Sequence, residues 1–258
     1  MKKNIFLILL YITINGCAFF SEDDSDSSRN WTLERLYSEA KESMQEANYS
    51  RAIGYYEFLE TRYPFGVYGQ QALLDLAYVY YKIGNEEQSI TTSDRFIKLY
   101  PQNPFVDYAY YLQGLVNFSK NKRLTDRIVP TDKSQRDMTA AYQSFQNFSE
   151  LLVRFPNSKY AEDAKARMTY LRNVLAQHEI HVAKYYLRRG TYIAAINRAK
   201  YVVEVYSRTP SVPDALVIMA KAYKILKLDD LSNDTLRVLK MNFPLHPGTR
   251  EMENLAFR

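Results

Sequence analysis

Between Ala77 and Pro101 the chain reads AYVYYKIGNEEQSITTSDRFIKLYP. Two small residues, Ala77 and Ser89, stand twelve apart, and Pro101 stands twelve further on. Proline lacks a backbone donor and pushes its predecessor out of the helical region, so Tyr100-Pro101 marks a helix end. Gly84 stands where an earlier helix would close in the left-handed conformation that glycine adopts without strain. Glu86 and Glu87 follow, placed to complement the dipole of the next helix. Tyr80, three residues after Ala77, shares its helical face. The segment therefore predicts two helices joined by a tight turn, touching where small side chains let them approach.

The same arrangement recurs. LETRYP (Pro64), LLVRFP (Pro156) and RVLKMNFP (Pro244) end as FIKLYP does, and VVEVYSRTP (Pro210) is a looser version. Counting back gives the small pairs Ala40/Ala52 and Ala220/Ser232; in repeat four the pair is Ala183 with Ala195 twelve further on, and Tyr186 and Tyr223 are placed as Tyr80 is. The spacing is 37 from Pro64 to Pro101 and 34 from Pro210 to Pro244, which is the tetratricopeptide period. The interval of 55 before Pro156 is explained by a polar insertion, SKNKRLTDRIVPTDKSQRD, inside repeat three. The interval of 54 before Pro210 predicts a long first helix in repeat four, from about Lys159 to Arg189. The expected fold is all-α, a tetratricopeptide (TPR) solenoid of five repeats and about ten helices. Composition agrees: 8 glycines and 9 prolines beside 23 tyrosines and 13 phenylalanines argue for helices packed through aromatic and alanine contacts.

The start of the chain carries a different message. Lys2 and Lys3 precede an apolar run, Ile5–Ile14, of about ten residues, whereas a membrane-spanning helix needs about twenty. Residues 1–16 fit a signal peptide. The single cysteine, Cys17, follows at once, and residues 17–30 form an acidic, serine-rich tether whose composition disfavours a packed core. One cysteine in an exported chain has no internal disulfide partner. Ile14-Asn15-Gly16-Cys17 resembles the bacterial lipobox, which implies that Cys17 is the lipid-bearing first residue of the mature protein. By the same analogy, Ala18 in place of an acidic residue implies outer-membrane destination with the body in the periplasm. The alternative is a cleaved signal with an incidental cysteine, or an amphipathic anchor.

The net charge of +5 is uneven, with 17 Lys/Arg against 19 Asp/Glu up to residue 158 and 17 against 10 afterwards. A basic C-terminal half suits anionic lipid or an acidic protein face, and export makes nucleic acid the poorest fit. No Gly-rich phosphate loop, nucleophile elbow or cysteine pair is present in the sequence. His178-Glu179-Ile180-His181 is not His-Glu-x-x-His, and a zinc site there would need a third ligand from elsewhere, so surface or packing roles are the expectation. Glu86-Glu87 and Asp229-Asp230 read as helix-start charges. No enzyme and no cofactor is expected beyond the covalent lipid on Cys17.

In such repeats the first helix of each pair lines the inner side. Applied to repeats one to three, the spacing assigns Tyr37, Lys41, Tyr78, Tyr81, Lys82, Tyr108, Tyr111 and Phe118 to a groove whose tyrosines form the wall and whose lysines form a cationic rim. Aromatic side chains give large contact area at low entropic cost, which suits an extended peptide carrying aromatics. The alternative is that several of them pack neighbouring helices. The loop Tyr63-Pro64-Phe65-Gly66-Val67-Tyr68-Gly69 joins repeats one and two, either as a pocket edge formed by Phe65 and Tyr68 or as a structural corner.

RYPFGVYGQQALLDLAYVYYK, DRFIKLYPQNPFVDYAYYLQGL, DKSQRD, RFPNSKY and YYLRRGTYIAAINR together resemble the BamD (ComL) family, lipoproteins of the outer-membrane β-barrel assembly (BAM) machinery. The resemblance runs from the lipobox to about Pro244. It implies a non-catalytic scaffold that docks on the periplasmic POTRA region of BamA, supports the other BAM lipoproteins and receives unfolded outer-membrane β-barrel proteins through their C-terminal aromatic signal. On this basis residues 31–156 are expected to be the substrate-binding half, 157–245 the BamA-docking half, and 246–258 a tail with no assigned role. Arg198, three residues after Ala195, should leave the helix-pair core; together with the family-like Asn197-Arg198 this makes it the expected BamA contact, the alternative being a solvated surface charge. A different function class, a generic TPR adaptor linking the outer membrane to peptidoglycan or division proteins, remains the competing reading.

Overall fold

The computed structural model describes residues 30–120 and 137–256; Cys17, the tether and most of the repeat-three insertion lie outside them. Among the described residues there are eleven helices and no strand: α1 (Leu33–Gln45), α2 (Tyr49–Arg62), α3 (Val67–Lys82), α4 (Glu86–Leu99), α5 (Val106–Lys120), α6 (Thr139–Arg154), α7 (Ala161–Arg188), α8 (Tyr192–Val205), α9 (Val212–Ile225), α10 (Asp229–Asn242) and α11 (Pro247–Ala256). Within this set no helix is long and apolar enough to cross a membrane.

The aromatic-proline endings are helix stops. The N–H groups of Tyr63, Tyr100, Phe155, Tyr206 and Phe243 donate to the carbonyls of Leu59, Phe96, Leu151, Val202 and Leu239, closing α2, α4, α6, α8 and α10. Each of those five acceptor residues is completely buried. The looser fourth ending has a local cause: α8 stops at Val205, and Thr209 caps the Tyr206 carbonyl through its hydroxyl before Pro210 is reached.

The small residues are where the helices of a pair meet. Ala40, Ala52, Ala183, Ala195 and Ala220 are fully buried, and Ser232 nearly so. Ser232 Oγ donates to the Ala220 carbonyl at 3.0 Å, and Ser144 Oγ donates to the Gly114 carbonyl at 2.9 Å, so Gly114 and Ser144 are the equivalent pair of repeat three. Gly114 admits no larger residue without movement, because a Cβ there would lie 2.4 Å from the Phe148 ring.

Four of the five first helices end in one turn. Ala47, Gly84, Gly190 and Lys227 have positive φ, between 60° and 76°. After each, the next N–H reaches back to the carbonyl five residues earlier: Asn48 to Ser43, Asn85 to Tyr80, Thr191 to Tyr186 and Leu228 to Tyr223. These are Schellman caps, which satisfy carbonyls that a helix end leaves without partners.

The helices group into two compact units that divide after Asn85. In the first, α1, α2 and α3 enclose Leu36, Tyr56, Leu59, Leu76 and Val79, with Trp31, Tyr37 and Tyr63 packed on the margin. In the second, α4 to α10 pack each on the next, and α11 packs on α9 and α10. Across the expected 156/157 division α6 lies directly on α7. The long helix is present as α7, 28 residues from Ala161 to Arg188. The expected tail instead contains α11, whose Pro247 sits at the helix start, where a missing N–H costs nothing. Met252 is buried against Val217, Ala220 and Leu239, closing the last repeat.

Candidate protein-binding surfaces

In the first unit two of the expected groove residues, Tyr37 and Lys41, converge on a carboxylate that pattern reading passes over. Asp75, on the buried face of α3, is 8% exposed. Tyr37 and Lys41 lie one turn apart on α1, so both reach it: the Tyr37 hydroxyl donates to Oδ2 at 3.1 Å and Lys41 Nζ lies 3.4 Å from the same oxygen. Tyr56 on α2 donates to Oδ2 at 3.3 Å, and Gln71, one turn earlier on α3, donates to Oδ1 at 3.0 Å. A buried charge is tolerated only with such partners. Burial first, and the neighbouring Asp75 charge second, push the Tyr37 and Tyr56 hydroxyls well above the usual phenol range, so both stay donors. Lys41 is thus already paired. Lys82 is exposed with Nζ 5.9 Å from the Tyr78 ring centroid, and Tyr78 and Tyr81 are half-buried.

The Tyr63–Gly69 loop turns sharply and leaves apolar side chains outside the core. Tyr63 packs on the core margin, Gly66 turns the chain at φ 91°, and Gly69 lies so close to the Tyr63 carbonyl that a Cβ would sit 2.5 Å from it. Those residues, with Pro64, make a corner. Phe65 and Val67 project outward, 84% and 81% exposed, and the Tyr68 ring lies edge-on to Tyr37 at 5.2 Å.

The remaining groove residues belong to the second unit, where the start of α7 covers them. Tyr111 stacks on Tyr160 at 4.6 Å, Tyr108 lies 5.4 Å from the same ring, and Phe148 backs Tyr111 at 5.9 Å. The Tyr111 hydroxyl donates to Asp163 Oδ2 at 2.6 Å, and Arg167 pairs with the same carboxylate. Burial and the bond to Asp163 push that hydroxyl up to about 12. Phe118 is corrected: it is 7% exposed, held edge-on by Tyr170 and covered by the Arg167 guanidinium 4.8 Å above its ring. It packs the wall from within. Sequence reasoning missed Tyr160, Asp163, Arg167 and Tyr170, although their spacing of three, four and three places them on one face of α7.

Arg198 does leave the helix-pair core, but it is not a solvated charge. Its Nη1 lies 3.1 and 3.4 Å from the two oxygens of Glu179 on α7. Glu179 is 3% exposed, while the Arg198 side chain is about half exposed (49%). The Tyr142 hydroxyl from α6 donates to Glu179 Oε1 at 3.4 Å. Burial raises the Tyr142 and Tyr206 hydroxyls above the ordinary phenol range. Tyr142, Glu179, Asn197, Arg198 and Tyr201 line a pocket of about 290 Å³. Glu179 is therefore the counter-ion of Arg198. His181 sits 3.0 Å from the Gln177 amide, and among the described residues no three potential ligands come together to hold a metal.

The chain matches a family model described as YfiO, outer membrane lipoprotein, over residues 29–239. It is 43% identical to the outer membrane protein assembly factor BamD of Neisseria meningitidis serogroup B, over 97% of this chain and 95% of that protein. It is also 36% identical to BamD of Xylella fastidiosa, over 93% and 82%, and 34% identical to BamD of Haemophilus influenzae, over 93% and 90%.

Proposed function

The chain belongs to the YfiO/BamD family of outer-membrane protein assembly factors, and from that premise we propose that it is a non-catalytic lipoprotein scaffold and substrate receptor of the BAM complex. It promotes the folding and insertion of β-barrel proteins into the outer membrane. Cys17 carries the lipid, and the repeats face the periplasm. The first three repeats receive unfolded barrel strands, and the last two dock on the POTRA region of BamA.

The observation that carries this reading is the extent of the similarity, which spans 97% of this chain and 95% of a named assembly factor. Geometry supports the division of labour. Unfolded barrel strands arrive extended and alternate apolar with polar residues, so their receptor needs apolar contact area beside polar groups. Phe65 and Val67 project from the loop between repeats one and two, Tyr78 lies half-buried beside the exposed Lys82, and Tyr81 is half-buried on the same helix. Arg198 presents a half-exposed guanidinium on the basic half of the chain, suited to a carboxylate of a docking partner.

The test is site-specific photo-crosslinking in intact cells. A crosslinker at Asn197, beside Arg198, is expected to capture BamA, and one at Phe65 to capture outer-membrane proteins before insertion. Capture of peptidoglycan-binding or division proteins at both positions, without BamA, would replace this reading with the envelope adaptor.

A further inference from the structure

We propose that Glu179 is a positioning residue for partner docking: it holds Arg198 by one nitrogen so that the rest of the guanidinium receives an acidic side chain of the partner at the pocket lined by Tyr142, Asn197 and Tyr201. The inference rests on the reading of Arg198 as the BamA contact and adds the group through which that contact is built.

Three observations carry it. First, an arginine-carboxylate pair that serves only to join two helices is best made with the two-nitrogen fork, which fits a carboxylate in parallel. Here both contacts run through Nη1, at 3.1 and 3.4 Å, which leaves the Nε and Nη2 side of the fork out of the pair. Second, the partners are unequally exposed. Glu179 is sealed at 3% while the Arg198 side chain is 49% exposed, so the anion lies beneath and the cation forms the surface. Third, Glu179 is itself held. Tyr142 reaches Oε1 from α6 with its hydroxyl at 3.4 Å. Glu179 and Arg198 thus stand on the two helices of repeat four and are braced from repeat three.

The chemistry follows. A long arginine side chain ordered before binding loses less rotamer entropy when the partner arrives. Glu179 also leaves the pair formally neutral, so the partner's carboxylate is recognised by donor geometry more than by excess charge. Arg198 stays on Glu179 during binding, because withdrawing it would leave a buried carboxylate uncompensated.

The experiment is a double-mutant cycle on the full-length lipidated chain binding full-length BamA in detergent, with helicity and melting temperature followed for every variant. Arg198→Ala is expected to weaken binding about tenfold or more. Glu179→Gln, which keeps the shape and one acceptor oxygen, is expected to weaken it about three- to tenfold. The double variant should bind no more weakly than Arg198→Ala alone, since Glu179 acts only through Arg198. A purely structural Glu179 would instead give losses that add. Should Glu179→Gln fail to fold, Glu179→Asp, which keeps the charge but draws it back by one methylene, is expected to show the same loss and the same coupling. Wild-type affinity in the Glu179 variant, or full additivity, overturns the inference while leaving the Arg198 contact in place. Unchanged binding by Arg198→Ala removes that contact and this inference with it.

Discussion

Arg198 and Glu179 form an ion pair across the two helices of repeat four, with Nη1 3.1 Å from Oε2, and one member is half exposed while the other is buried. The pair therefore belongs to the surface and to the interior at once. Arg198→Ala should destabilise the chain by about 1–3 kcal/mol, less than for a fully buried pair because water screens the exposed partner. Glu179→Gln placed on top should restore part of that loss, because a neutral amide is easier to bury than an unpaired carboxylate. Urea unfolding followed by circular dichroism measures both; equal stability of Arg198→Ala and wild type would show that the pair contributes nothing.

Asp75 is the corresponding anion of the first unit, with Tyr37, Tyr56, Lys41 and Gln71 around it. Asp75→Ala strands the buried Tyr56 hydroxyl and is expected to cost about 2–4 kcal/mol. Asp75→Asn, which retains one acceptor oxygen, should cost less. Hydrogen exchange resolved by helix should show faster opening of α1, α2 and α3 in Asp75→Ala.

Tyr111 gives a prediction with a sign. Its folded pKa is raised to about 12 from an ordinary 10, by burial and by the bond to Asp163. The folded state therefore holds this proton longer than the unfolded chain, so the stability it contributes is complete below pH 10 and lost as pH rises towards 12. Tyr111→Phe should flatten the fall of stability across that window. Superimposed alkaline unfolding profiles would contradict the assignment.

Tyr78 and Tyr81 are half-buried on α3, with Lys82 beside the first ring. If they form part of the receiving wall, Tyr78→Ala/Tyr81→Ala should weaken binding of a peptide ending in an aromatic residue by on the order of 1 kcal/mol or more per contact. Fluorescence anisotropy with helicity as a control decides it. Equal affinities with an intact fold would move substrate reception away from this face.

For the anchor, Cys17→Ser is expected to give a protein that is either soluble or retains its leader, because a hydroxyl cannot replace the thiol in lipid attachment. Membrane fractionation and the mass of the N-terminal peptide read the outcome. A processed, outer-membrane-bound serine variant would exclude Cys17 as the anchor.

Helix ends and helix contacts were readable because they depend on local chemistry: a proline stops a helix wherever it stands, and a small residue at a fixed offset permits close approach. The sites were less readable because their partners lie far along the chain. Asp75 meets Tyr37, 38 residues earlier, and Glu179 meets Arg198, 19 residues later. A charged residue inside a helical pattern looks solvated until the neighbouring helices are placed. The burial of Phe118 is silent in sequence for the same reason, since the groove offsets contain no information about the part of α7 that covers it. Two of the four Schellman caps are also silent in sequence: Gly84 and Gly190 announce a left-handed turn, whereas Ala47 and Lys227 adopt it without the residue that signals it.

That last difference has an order to it. The non-glycine caps occupy the first and fifth repeats, while glycine serves the second and fourth. A side chain in the left-handed region costs about 1 kcal/mol more than glycine, and terminal repeats of such an array have a neighbour on one side only. Both effects fall on the first hairpin, whereas α11 packs on α9 and α10 at the fifth, so among the described residues the turn at Ala47 is where thermal fluctuation should open the fold first.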